Sequence, residues 1–308
     1  MQRAFRLVAG ILLVIVASTA CALEPSDLGE TEERYLERLE GVLRPLRETT
    51  ATFRRLFQDT DSRTRFTEDL KRVPASARMV SVFRDLDEME PPPRFSSDQR
   101  RLMRTLAEMV PPTRTAQQLA RDDEFVRASA AHARVTVLYQ KSLLEYTSRF
   151  CIVAATSAAE RDLCDPAGIL PGAGYGERLH GVLARASAEF TPRGFFFVGR
   201  TYTNSEVAEY LTSVGPTLVD EVERARDEIR RLVPPDEFAA DQRVLEEYFT
   251  DISRISANIA KAAVDDPDRL LRLFPESRTV VSRARSRLSE DIRPAVAVWF
   301  FPSAEEES

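Results

Sequence analysis

Two histidines, three cysteines, one tryptophan and eleven glycines are all that 308 residues offer of the types most used for metal ligation, redox work and tight backbone turns. His132 and His180 lie far apart, and no two cysteines have the short spacing of a zinc site, so no metal centre is expected. A twelve-residue calcium loop of the EF-hand kind is missing too; Asp122-Asp123-Glu124 and Asp265-Asp266 read as solvated helix ends. Glycine is too sparse for a phosphate-cradling loop, and neither a Gly-x-Ser-x-Gly elbow nor a Ser-x-x-Lys motif occurs. These absences predict a protein that is not an enzyme and carries no cofactor. The net charge of -6 leaves no basic excess to displace counterions from phosphates, so nucleic acid is not an expected partner. Only Lys71, Lys141 and Lys261 among the 43 basic residues are lysines, the bias of a GC-rich genome rather than a statement about arginine chemistry.

Long apolar runs are also missing, with one exception. Arg3 and Arg6 precede the stretch Leu7 to Ala17, and Ser18-Thr19-Ala20 follows it. The run is too short to span a bilayer core of ~30 Å, and its flanks are those of a cleaved signal peptide, residues 1–20. Cleavage would remove two arginines and no acid, making the remaining chain more acidic. Ser-Thr-Ala-Cys at the end of the run resembles the lipobox of bacterial lipoproteins, although Ser18 stands where leucine is usual. The resemblance implies that Cys21 is lipidated and becomes the new N-terminus; ordinary cleavage after Ala20 or Ala22 is the alternative. Residues 21–30 would then be a tether, and the chain would face outward from a membrane it touches through its lipid.

Export places the thiols in an oxidising compartment. Lipidation of Cys21 leaves Cys151 and Cys164, which are expected to pair.

Comparison of the chain with itself shows a repeat. Tyr35, Glu37, Arg38, Leu39, Gly41, Val42 and Leu43 recur with the same spacing as Tyr175, Glu177, Arg178, Leu179, Gly181, Val182 and Leu183. Pro91, Pro92, Phe95, Asp98, Gln99, Arg100 and Leu102 recur as Pro234, Pro235, Phe238, Asp241, Gln242, Arg243 and Leu245, and Ala120, Asp122 and Asp123 as Ala263, Asp265 and Asp266. Collinear blocks at nearly constant offset predict a tandem duplication.

Within each unit apolar residues fall at three-to-four spacing: Tyr35, Leu39, Val42, Leu43 and Leu46; Val82, Phe83, Leu86 and Met89; Phe95, Leu102, Leu106 and Met109; Leu245, Phe249, Ile252 and Ile259. Period-two alternation is scarce. The fold class is therefore all-α, with an antiparallel bundle of about four helices per unit. A kink is expected at Pro45, and a break or kink at Pro111-Pro112. The units are expected at residues 31–164 and 175–302, joined by a Pro/Gly-rich linker at 165–174 and followed by an acidic tail, 303–308.

Chemistry is hard to find. Asp241, Gln242 and Arg243 could form a polar binding trio, although neighbouring helix positions point in different directions. Phe195, Phe196 and Phe197, flanked by Gly194 and Gly199, stand in the second unit alone, and Trp299-Phe300-Phe301 closes the chain before the tail. Core packing accounts for such aromatics; an apolar ligand pocket or partner surface is the sharper reading. The expected function is that of an envelope binding or interaction module using the groove between units, with a protein or a small apolar molecule as partner. An envelope enzyme with acidic residues in a cleft and a purely structural protein are the alternatives.

Overall fold

Apolar stripes at helical spacing produce eleven α-helices and no strand among the described residues. The computed structural model describes residues 29–58, 67–68, 70–156, 158–164, 173–194 and 203–300. The leader, Cys21, most of the linker, Phe195 to Phe197 and the acidic tail lie outside these residues. In the first half run α1 (Glu30–Gln58), α2 (Ala75–Asp87), α3 (Ser96–Arg121), α4 (Phe125–Leu143), α5 (Ser148–Ala154) and α6 (Ala158–Cys164). In the second run α7 (Ala173–Gly194), α8 (Asn204–Arg231), α9 (Ala239–Asp265), α10 (Leu270–Arg287) and α11 (Arg293–Phe300). Each half thus has four longer helices, as expected, with one or two short helices added behind them.

Local chemistry sets the helix ends. Glu30, Glu32 and Glu33 stand in the first turn of α1, where carboxylates favour the positive end of the helix dipole. Thr203 and Glu206 form a capping box at the start of α8, each side chain accepting the other's backbone N–H. Pro91-Pro92 and Pro234-Pro235 each lead into a single 3₁₀ turn, Pro93–Phe95 and Asp236–Phe238, from which α3 and α9 start. The hand-over residues have nearly the same backbone, φ -104° and ψ 1° at Phe95, φ -103° and ψ 6° at Phe238.

The prolines inside helices do not end them. Helix α1 continues through Pro45, and α3 continues through Pro111 and Pro112 without a break. Each proline removes one ladder N–H. At both sites, however, buried apolar residues lie on either side, Leu43 and Leu46 in α1 and Met109 and Ala116 in α3, and tertiary packing holds the helix together.

Neighbours in sequence are neighbours in space. Helix α1 packs on α2 and α5, α2 on α3, and α3 on α4; in the second half α7 packs on α8 and α11, α8 on α9, and α9 on α10. The halves meet where α4 lies against α7 and α8. One apolar core runs from Tyr35 and Leu39 through Phe150 to Phe249 and Phe300, and a smaller cluster joins Ala120, Phe125 and Val126 of the first half to Tyr210 and Val214 of α8. Lys141 of α4 bridges Glu189 of α7 and Glu221 of α8 at the same junction.

Candidate functional site

The repeated block is a buried hydrogen-bond lattice. Tyr35 stacks on Phe95 with ring centroids 5.7 Å apart, and Tyr175 stacks on Phe238 at 6.1 Å. The Tyr35 hydroxyl donates to Gln99 Oε1 at 2.6 Å, and the Tyr175 hydroxyl to Gln242 Oε1 at 2.9 Å. Gln99 Nε2 in turn donates to the carbonyls of Leu86 and Met89, and Gln242 Nε2 to the carbonyl of Ile229, tying down the C-terminal ends of α2 and α8. Asp98 accepts from the Thr147 hydroxyl, while Asp241 accepts from the Ser289 N–H and hydroxyl. Burial pushes both tyrosine phenols up, Tyr175 to about 12, so they remain donors. Asp241 and Gln242 therefore serve the fold, and Arg243 is exposed with its Nε on the carbonyl of Ala239. The three side chains do not converge on one site.

The C-terminal aromatics are core. Trp299 packs edge-on against Phe190 at 5.3 Å, lies 5.5 Å from Phe249, and donates its indole N–H to the Tyr248 hydroxyl at 2.9 Å; Phe300 is fully buried. Where α4 meets α7 and α8, the apolar cluster and the Lys141 bridges described above fill the junction of the halves.

A pocket opens instead inside the first half, at the centre of its four long helices, with a volume of about 90 Å³. At ~10–15 Å³ of such space per water, it has room for several waters or a compact organic molecule. Leu46, Leu70, Ala75, Met79, Met109 and Val135 supply its apolar wall. Thr49, Thr50, Thr113, His132, Thr136, Tyr139, Gln140, Thr156 and Glu160 supply polar groups. Four of these polar groups, His132, Thr136, Tyr139 and Gln140, and Val135 of the apolar wall come from one face of α4, recurring at three-to-four spacing.

Most of the polar lining is already engaged. The hydroxyls of Thr49, Thr113 and Tyr139 donate to the carbonyls of Pro45, Met109 and Ala154 at 2.8, 2.7 and 2.6 Å. Thr136 reaches the carbonyl of His132 at 3.4 Å. Thr156 donates through both its N–H and its hydroxyl to Glu160, a carboxylate only 2% exposed. Tyr139 is pushed far up, chiefly by burial and then by the Glu160 charge. Burial holds His132 down to about 4, so its ring is neutral near pH 7.

Gln140 differs from these. It is 4% exposed, it lines the pocket, and its carboxamide has no hydrogen-bond partner among the described residues. Its polar atoms face the pocket space, where only water or a ligand can pair them. The disulfide expected between Cys151 and Cys164 is present, with α carbons 5.5 Å apart, and it closes the segment that carries Thr156 and Glu160 to the pocket rim. Arg47 of α1 adds a hydrogen bond to the carbonyl of Val153 in α5.

Of the lining residues, Leu46 and Met109 were expected only as core, and His132 alone among the polar ones was considered, as a metal ligand; among the described residues no group of acids, histidines and cysteines could hold a metal ion. A usable signal was present, since α4 carries Ser129, His132, Thr136 and Gln140 along a face that also bears Val135 and Tyr139. Polar side chains recurring on an inward face mark either a hydrogen-bond network or a site. Comparison of the chain with known protein families, with characterised proteins and with solved structures finds no match.

Proposed function

We propose that this chain is a binding protein of the bacterial envelope, anchored through lipid on Cys21, and that its first half receives a compact, mainly apolar small molecule. The observation that carries the reading is Gln140, an unpartnered amide in an apolar cavity of about 90 Å³. A mostly apolar concavity with a few fixed polar groups is the usual form of a small-molecule site.

The same reading makes the chain a tandem duplication with a pocket in one copy and, at the matching place among the described residues, an aromatic contact in the other. Matching Tyr–Gln–Phe lattices and matching helix pairings support the duplication. By the offset of the first repeated block, Phe190 occupies the place of Thr50. Thr50 lines the pocket, whereas Phe190 packs on Trp299.

Catalysis fits less well. Tyr139 is held protonated and bonded to a carbonyl, His132 is a poor base, and Glu160 already accepts two hydrogen bonds from Thr156. The buried acids Glu189 and Glu221 share Lys141 at the junction of the halves, away from the pocket.

Native mass spectrometry of the protein taken from its host's membrane fraction, beside a Cys21→Ala variant, tests both parts. The wild type should sediment with membranes and release a small molecule on unfolding, while the variant should be soluble, since loss of the acyl attachment removes the anchor. A variant that stays on the membrane as firmly as wild type removes the tether, and a protein that neither carries nor takes up any small molecule removes the receptor.

A further inference from the structure

The donor and acceptor inventory of the pocket narrows what it can hold. A threonine or tyrosine hydroxyl has one hydrogen to give. Thr49, Thr113, Thr136 and Tyr139 direct theirs to main-chain carbonyls, and Thr156 directs its own to Glu160. These five side chains can offer a ligand lone pairs but no hydrogen, whereas Thr50, the remaining lining hydroxyl, has one to give. Gln140 offers both kinds of group at once, a carbonyl oxygen and an NH₂ held side by side in one plane.

Neither lysine nor arginine is among the described lining residues, and the one charged side chain there is the carboxylate of Glu160. A carboxylate or phosphate ligand would be desolvated beside a like charge, while the nearest cations stand behind the wall on other partners, Arg78 on the Thr49 hydroxyl and Arg47 on Glu40 and the Val153 carbonyl.

Resting on the receptor reading above, we propose that the ligand is a neutral amide of the lactam or primary carboxamide class, bound through a reciprocal pair of hydrogen bonds with Gln140. The ligand N–H donates to Gln140 Oε1, and Gln140 Nε2–H donates to the ligand carbonyl. The ring or chain of the ligand lies against Leu46, Met79, Met109 and Val135. A simple alcohol can meet both groups of the glutamine only through a single oxygen, in a bent and weaker pair, and a hydrocarbon meets neither, leaving the amide unpaired in the complex. Sites built to pair a polar group discriminate strongly against analogues that lack it.

The test titrates the full chain with three probes: ε-caprolactam, its N-methyl derivative, which lacks the donor, and fluorobenzene, an apolar probe followed by its fluorine NMR signal. Wild type is compared with Gln140→Leu and Gln140→Glu. Caprolactam should bind wild type at least tenfold more tightly than Gln140→Leu, as expected for loss of a paired, buried amide. The N-methyl derivative should bind wild type several-fold more weakly than caprolactam. Fluorobenzene should bind wild type and Gln140→Leu alike. Equal caprolactam affinity in wild type and both variants, with fluorobenzene still bound, overturns the amide assignment and leaves the receptor reading standing. Failure of every probe to bind wild type overturns both. Should Gln140→Leu not fold, Gln140→Glu and the N-methyl comparison decide the question by themselves.

Discussion

Two glutamines with the same 4% exposure should respond in opposite ways to the same substitution. Gln242 is fully engaged, accepting from Tyr175 and donating to Ile229 and Glu246. Gln140 has no partner among the described residues. Replacing Gln242 with leucine leaves the Tyr175 hydroxyl and the Ile229 carbonyl stranded in the core. Such groups cost ~1–3 kcal/mol each, so Gln242→Leu should destabilise by about 2–4 kcal/mol. Replacing Gln140 with leucine strands nothing. It removes an amide that only pocket water can pair and puts apolar surface of similar size against Met109 and Val135, so stability should rise, by ~1–3 kcal/mol at most.

Urea unfolding reads the difference directly. The midpoint should move up for Gln140→Leu and down for Gln242→Leu at unchanged slope, since neither substitution alters the surface exposed on unfolding by much. In a thermal scan the gain corresponds to roughly 2–4 °C per kcal/mol for a protein of this size. A Gln140→Leu midpoint that falls as far as that of Gln242→Leu refutes the reasoning, because it means that the amide is stabilised where it lies. A more stable variant that has lost ligand is the signature expected of a binding residue, since sites retain groups that folding alone would discard.

Three further outcomes follow from the same geometry. Reducing the Cys151–Cys164 bond, which joins residues thirteen apart, should lower stability by ~3 kcal/mol and weaken probe binding, because the closed segment carries Thr156 and Glu160; urea curves with and without reductant check it. His132 is held down to about 4 from an ordinary 6.5, so the unfolded chain takes up the proton first and stability falls as pH drops from 6.5 towards 4; the loss of about 3 kcal/mol should be absent in His132→Gln when midpoints are compared across that range. Phe95→Ala and Phe238→Ala, each emptying a fully or almost fully buried site under a stacked tyrosine, should each cost ~3–5 kcal/mol, and a midpoint unmoved in either would contradict its place in the lattice.

Much of this architecture could be read from the chain because it rests on periodic apolar residues. The stripe Val82, Leu86 and Met89 gave α2, and the paired prolines gave the sharp entries to α3 and α9. Of the break or kink expected at Pro111-Pro112, the break did not appear, because a local rule met a packed core on both sides. The repeated Asp-Gln-Arg stretch looked like a site because polar residues in register draw attention, yet burial turned its glutamines and aspartates into structural ties. The pocket was hidden for the opposite reason. Its residues come from α1, α2, α3, α4 and the α5–α6 segment, and only tertiary structure shows that Gln140 arrives there without a partner.

If both halves descend from one unit, the second carries an aromatic contact where the first has its pocket. Phe190 stands where the first block's offset places Thr50, and it meets Trp299, which meets Phe249 and Tyr248 in turn. Aromatic contacts of this kind bury large areas and add ~0.5–1.5 kcal/mol per pair beyond that burial. The first half has Thr50 and open space there instead. Thr50→Phe should therefore make the first half resemble the second, its ring entering the cavity beside Leu46 and Met109. Filling an apolar cavity without strain stabilises, whereas forcing a ring into a packed core costs ~1–3 kcal/mol. The expected result is a midpoint equal to or above that of wild type, with fluorobenzene and caprolactam binding both abolished. Loss of stability together with loss of binding would mean that the cavity is too small for the ring. A stable Thr50→Phe protein that still binds both probes would place the binding site elsewhere and end the case for this pocket.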